Sequence, residues 1–328
     1  MRRSIDAGRS RQHPSARFRV GLIAMTLADH VPTFGQAMLR RHGARVHKIA
    51  IDAAFTCPNR DGTKGRGGCT FCNNVSFSPN GRQPAPLADQ IEAGRRVLRK
   101  RTGAHRYIAY FQAYTNTYAD IKTLERLYDQ ALAESDVIGL SVGTRPDCVS
   151  EGVLDLLCRY RDAGHEVWLE LGLQSAFDET LRRVNRGHGL AEYRETVLAA
   201  RARSLQVCTH LILGLPGEGP RHARETLARV LELGTDGLKI HPLHVVKGTA
   251  LANQWRRGEY RPLPMEEYVA TTADLVQLTP PEVLFHRLTG TASRDILLAP
   301  HWCSKKWRVL NALEKELAAR ADNARRVA

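Results

Sequence analysis

From residue 46 onward, short apolar runs alternate with longer segments whose apolar positions recur about every 3.6 residues. Strand-like runs occupy 46–51, 107–111, 137–142, 166–171, 206–213 and 237–241, with a seventh at 283–288. Several are apolar throughout, as strands covered on both faces are. Between them, 87–101, 121–134, 151–163, 191–203 and 223–233 carry the helical spacing; in the first, Leu87, Ile91 and Leu98 share a side. Strand–helix repetition with short connections implies parallel strands and right-handed crossovers, hence an α/β fold. Either a doubly wound sheet or an incomplete barrel satisfies that pattern. No Gly-x-Gly-x-x-Gly follows the first strand, which weakens the dinucleotide-binding option. A cysteine loop follows it instead. The polar and Gly-rich segments sit where strands end and helices begin, the end at which a parallel barrel collects its chemistry.

The 328 residues can bury one large core, and 43% apolar with 25% charged residues is a globular composition that excludes wholesale disorder. No uncharged apolar run approaches the roughly eighteen residues of a membrane span, and no apolar segment follows the first basic residues as in a secretory signal. Seven unevenly spaced cysteines argue against a disulfide scaffold. A cytoplasmic, reducing location is the expectation. The net charge of +14 falls in three patches: 1–20 and 82–106 at +5 each, and 305–328 at +4. Such clustering suits a polyanion, although solvated helix faces and a basic tail give the same count. The expected organisation is a basic, disordered tail over 1–33, a catalytic core over 34–290 and a helical extension over 291–328.

The segment CPNRDGTKGRGGCTFC places Cys57, Cys69 and Cys72 within sixteen residues, directly after the first strand. The two-residue gap between Cys69 and Cys72 lets both thiolates grip one metal centre. The glycines between Cys57 and Cys69 supply the backbone freedom that wrapping an inorganic cluster requires. Two chemistries fit three cysteines. A structural zinc would need a fourth ligand, and the loop has no His. A [4Fe–4S] cluster on three thiolates keeps one iron open for a substrate or cofactor. The other four cysteines are scattered singly.

This loop resembles that of the radical S-adenosylmethionine (radical SAM) superfamily, in the variant with a long first gap. TCPNRDGTKGRGGCTFCNN is similar to the YhcC-like branch, related to the radical SAM half of the Elp3 elongator enzymes. The resemblance implies a partial (β/α)6 TIM-type barrel with a C-terminal helical extension. It implies Cys57, Cys69 and Cys72 as ligands of a [4Fe–4S] cluster and S-adenosylmethionine (SAM) as co-substrate. Reductive cleavage of SAM would give a 5′-deoxyadenosyl radical, the electron coming from a donor such as flavodoxin or ferredoxin. Residue by residue it implies Phe71 beside the adenine, and Gln112 or Asn116 near the methionine amine. Gln174 and His210 would meet the ribose. Arg186 would hold the methionine carboxylate, since a guanidinium meets a carboxylate bidentately.

Other residues carry readings of their own. Asp147, in a Thr-Arg-Pro-Asp segment also similar to Elp3-like proteins, reads as the N-cap before Glu151. Lys239 and His241 are expected near the pocket mouth, Arg287 within reach of a substrate phosphate, and Cys303 as either a hydrogen-atom donor or simply buried. Elp3 kinship and the basic patches favour tRNA as substrate. A small metabolite is the alternative enzyme reading, and a zinc-stabilised nucleic-acid-binding module without catalysis is the rival from another class.

Overall fold

The computed structural model describes residues 26–73 and 84–327, with side chains to residue 325. The chain enters through α1 (Leu27–His30) and α2 (Phe34–His42). Strands and helices then alternate as β1 (Val46–Ile51), α3 (Leu87–Thr102), β2 (Arg106–Phe111), α4 (Ile121–Leu132), β3 (Val137–Thr144) and α5 (Glu151–Asp162). The series continues through β4 (Glu166–Gln174), α6 (Asp178–Arg183), α7 (Leu190–Ala202), β5 (Gln206–Leu213), α8 (Pro220–Leu233) and β6 (Gly237–Pro242). After β6 come β7 (Val245–Val246), α9 (Ala250–Arg256), α10 (Met265–Leu278), β8 (Leu284–Arg287), β9 (Leu297–Ala299) and α11 (Lys306–Val327).

Seven strands form one parallel sheet in the order β1-β2-β3-β4-β5-β6-β8. The sheet curls into a half-barrel, because side chains from β1, β3, β5, β6 and β8 converge on the single carboxylate of Glu170 in β4. Outward faces pack Ile49, Ile51, Leu140, Val142, Leu169, Val207 and Ile240 with the apolar stripes of the helices. Inward faces form layers. At the strand starts, Val46, Ile108, Trp168 and Cys208 close around Phe34 and Met38 of α2, which plugs the barrel floor. The charged layer around Glu170 lies above the plug, and above that the strand ends open into a cavity.

Residues 26–33, assigned from sequence to a disordered tail, belong to the fold. The Leu27 amide donates to Glu314 of α11, Val31 is buried, and Thr33 bridges to Phe285 of β8. Val31 supplies the burial, and the half-buried Leu27 packs against the same core. The rest of the expected tail lies outside the described residues. The C-terminal segment opens with β9, which pairs antiparallel with β7, before α11 begins. No described helix is long and apolar enough to cross a membrane.

Candidate active site

The loop after β1 winds on itself. The amides of Arg60 and Asp61 donate to the Cys57 carbonyl, Gly68 to the Asn59 carbonyl, and Cys72 to the Cys69 carbonyl at 2.9 Å. Gly62, Gly67 and Gly68 take φ of +96°, +80° and +77°, the left-handed turns a side chain would resist. Two backbone bonds moor the loop to the barrel: Thr70 N to the Val184 carbonyl and Leu251 N to the Thr70 carbonyl. Asn59 extends the mooring, its amide donating to the Asn185 carbonyl at 2.5 Å.

Cys57, Cys69 and Cys72 line one cavity of about 240 Å³ at the strand ends. Phe71, Gln112, Gln174, Arg186 and His210 line it too; Asn116 does not. Asn116 is fully buried and its amide donates to the Gly143 carbonyl at 2.6 Å, stitching the end of β2 to β3. Phe71 packs against the apolar cluster that contains Leu215 and Leu243. Arg186 donates to the Gly172 carbonyl at 2.6 Å and to the Cys69 sulfur at 3.6 Å, while its buried Nε has no partner. Gly172 is the close approach of the site: a Cβ there would stand 2.8 Å from Arg186 Nη2 and 2.9 Å from Gln174 Nε2. Gln174 (φ +78°) and Tyr114 (φ +62°) hold strained backbone on the cavity wall, as ligand-clamping positions do.

These residues suit an open-site cluster. Three free thiols meet in one cavity that has no Asp or Glu in its lining, and of the three histidines there His210 already gives its Nε2 to Glu170. Burial and then the neighbouring Cys69 push the Cys72 thiol up, and the Arg60 guanidinium opposes them. Cationic Arg60 and Arg186 thus stand ready to compensate anionic sulfur, and the orphaned Arg186 Nε awaits an acceptor.

The Thr-Arg-Pro-Asp segment does not cap α5. Ser150 is the N-cap, its hydroxyl accepting from Val153 N, and Asp147 lies three residues upstream within a single 3-10 turn. Asp147 instead receives a fork from Arg145 at 2.9 and 2.8 Å and Lys64 of the cysteine loop at 2.7 Å. Burial works against its charge, yet Arg145 and Lys64 hold the carboxyl at about 2. Arg145 also donates to the Arg186 carbonyl at 2.7 Å. The segment therefore ties the cysteine loop to the backbone that carries Arg186.

Below the cavity, Glu170 accepts from Lys48 at 2.5 Å, from Ser141 and Lys239, and from His210 Nε2 at 2.7 Å. Burial would raise the Glu170 carboxyl, but Lys239 and Lys48, then His210 and His286, hold it well below the usual range. Lys239, expected at the pocket mouth, is buried here with its ammonium 3.8 Å from the Tyr110 ring centroid. Burial lowers it to about 7 against the pull of Glu170. Glu170, Cys208 and His286 offer metal-ligand atoms within 4.8 Å of one another, but the two ammonium groups already occupy the carboxylate. Cys303 is buried beside Val246, Leu297 and Trp302, off the cavity.

Several imidazoles are held neutral by burial: His210 and His244 fall to about 4, His188 to about 3, and His241 and His286 drop well below 6.5. Unfolded, these rings take up protons near 6.5, so their stabilisation is present above that pH and is lost as pH falls toward 4. Each contributes up to ~1.4 kcal/mol per pH unit in that window. The urea midpoint is expected to drop between pH 7 and pH 5, the loss growing with each 0.5-unit step. An unchanged midpoint would show that these rings are charged in the fold.

The superfamily pattern described as "Radical SAM superfamily" matches residues 60–230, beginning three residues after Cys57. A "Radical_SAM C-terminal domain" matches 235–319. "Protein YhcC" of Escherichia coli (strain K12) is 49% identical over 293 residues, covering 89% of this chain and 94% of that protein. A "tRNA uridine(34) acetyltransferase" of Dehalococcoides mccartyi (strain CBDB1) is 33% identical over 159 residues, 48% of this chain and 34% of that one. Among solved structures, the archaeal Methanocaldococcus infernus Elp3 lacking residues 1–46 superposes with a TM-score of 0.55. That match covers 76% of this chain and 57% of the other at 23% identity, a likeness of fold. The chain belongs to the radical SAM superfamily, whose enzymes work with a [4Fe–4S] cluster and SAM.

Proposed function

We propose that Cys57, Cys69 and Cys72 hold the cluster and that the enzyme modifies tRNA. When bound, the cluster supplies the electron that splits SAM into methionine and a 5′-deoxyadenosyl radical able to take a hydrogen atom from a substrate carbon. A flavodoxin or ferredoxin provides that electron. Arg186 takes the methionine carboxylate, Gln174 the ribose and Phe71 the adenine face. The amine contact falls to Gln112, since the Asn116 amide is spent on Gly143. His210 gives its Nε2 to Glu170, so any ribose contact it makes uses Nδ1.

The observation that carries the tRNA reading is the start of α11. Trp307 is 72% exposed, flanked by exposed Lys305, Lys306 and Arg308, and the charge of Lys306 is felt at Arg287 on the cavity wall. An exposed aromatic among cations suits a splayed base and its phosphates. The Elp3-type and uridine-34 relatives support the same substrate. A second reading, a small anionic metabolite, rests on the α3 patch not serving the cavity: Arg99, Lys100 and Arg101 end α3 just before β2 starts, at the end of the barrel away from the cavity, so they add nothing to a tRNA site there. Filter binding decides between them. For the tRNA reading, log affinity falls linearly with log salt, and Lys305→Glu/Lys306→Glu/Arg308→Glu weakens binding roughly tenfold or more at about 0.1 M salt. Salt-indifferent binding, or equal binding by the triple variant, would contradict it.

A further inference from the structure

Acidic and basic groups in the lining of the cavity do not balance. Among the lining residues there is no Asp or Glu, against four arginines: Arg60, Arg145, Arg186 and Arg287. Arg145 is neutralised by Asp147. Arg60 stands among the cysteines, with Cys72 and Cys57 as its anionic neighbours, and Arg186 reaches the Cys69 sulfur. Cluster thiolates and the SAM carboxylate account for these two. Arg287, at the exposed end of β8 where the cavity opens to solvent, is the one that neither group accounts for. Its charge is felt by His241, His244 and Lys306, none of which can neutralise it. No acidic side chain pairs with it among the described residues. The carboxylate of the layer below, Glu170, is already shared by Lys48 and Lys239.

The surroundings of Arg287 are built for a ligand. The buried His244 Nε2 has no hydrogen-bond partner. Gly290 keeps a cradle open beside His241, since a Cβ there would stand 2.7 Å from His241 Nδ1. All four residues line the cavity.

We infer that Arg287, His241, His244 and the Gly290 backbone form a subsite for an anionic group of the substrate, a phosphate or carboxylate, separate from the SAM carboxylate site. The inference rests on the radical SAM reading for its assignment of Arg60 and Arg186. A planar guanidinium beside the His241 ring matches the oxygens of either anion, and the His244 Nε2, whose ring gives its one proton to the Gly290 carbonyl, accepts from a hydroxyl next to that anion. The two sources of such an anion, a nucleotide phosphate of RNA and a small acidic metabolite, share this chemistry.

Thermal unfolding of the reconstituted holoprotein with saturating SAM tests it. The probes are inorganic phosphate, succinate, glycerol 3-phosphate and uridine 5′-monophosphate, each against chloride at equal ionic strength. The subsite requires that at least one probe raise the Tm by a few degrees at about 10 mM, following ligand linkage. The rise is lost in Arg287→Gln, partly kept in Arg287→Lys, and unchanged in Arg221→Gln on the outer face of α8. A larger response to uridine monophosphate than to glycerol phosphate assigns the anion to RNA, and the reverse assigns it to a metabolite. No response to any probe, or an equal response in Arg287→Gln, overturns the subsite. EPR of the same wild-type samples with and without SAM keeps the two claims apart: a missing cluster signal contradicts the proposed function, whereas an intact signal with no anion response contradicts the subsite alone.

Discussion

Replacing Cys57, Cys69 and Cys72 together with alanine lowers the iron of anaerobically reconstituted protein from about four atoms per chain to background. It also abolishes 5′-deoxyadenosine formation. The expectation follows from the lining of the cavity. The three thiols meet there with no fourth thiol and no carboxylate in the lining to take a lost ligand's place. The other four cysteines lie off the cavity: Cys208 in the barrel floor, Cys303 behind β9, Cys158 on α5 and Cys148 beside Asp147. Cys158→Ser therefore keeps full iron and serves as the control. Far-UV circular dichroism of the triple variant should match wild type, because the loop is moored by backbone bonds at Thr70 and by Asn59 rather than by sulfur. Iron retained by the triple variant would place the cluster elsewhere. One tightly held zinc in wild type would revive a metal-binding reading of the loop.

Glu170→Gln is expected to be the most destabilising single substitution in the barrel interior, at roughly 3–5 kcal/mol, the usual cost of removing one partner from a buried ion cluster. The amide keeps the shape and one acceptor but leaves Lys48 and Lys239 facing each other without an anion. Burial already lowers Lys239, and without the Glu170 charge it sheds its proton more readily, so the variant recovers stability as pH rises from 7 toward 9, more than wild type does. Urea unfolding at these two pH values measures both effects. A loss below about 1 kcal/mol would mean that water reaches the layer and screens it. The double variant Glu170→Gln/Lys239→Met removes one stranded cation and should restore part of the loss.

What was legible in the sequence depended on distance along the chain. Periodicity located the strands because both faces of the sheet are covered, which turns each strand into an apolar run. It stopped β4 short at Leu171, whereas the strand continues to Gln174 through an irregular pairing, since Gly-Leu-Gln resembles a turn. It missed α2, nine residues long and identifiable as the barrel plug only once Trp168 and Cys208 are placed above it. The cysteine loop was legible because its candidate ligands lie within sixteen residues. The charged layer was not. Lys48, Glu170 and Lys239 lie on three different strands, far apart along the chain, and only the curl of the sheet brings them together. Likewise Arg145–Asp147–Lys64 and Asn59–Asn185 are long-range contacts without a local signal, so Asp147 looked like a helix cap. The unbalanced cations were legible as residues but not as an imbalance, which needs the lining of the cavity. The zinc module falls with the half-barrel and the superfamily match, which it does not explain.

Low-temperature EPR of the dithionite-reduced, anaerobically reconstituted protein, with and without SAM, is the most direct measurement of the central claim that three cysteines hold a cluster with one iron open to SAM. The expected result is a reduced [4Fe–4S] signal whose g values change on adding SAM and which is absent from the triple alanine variant. A signal indifferent to SAM, or a silent protein, would contradict it.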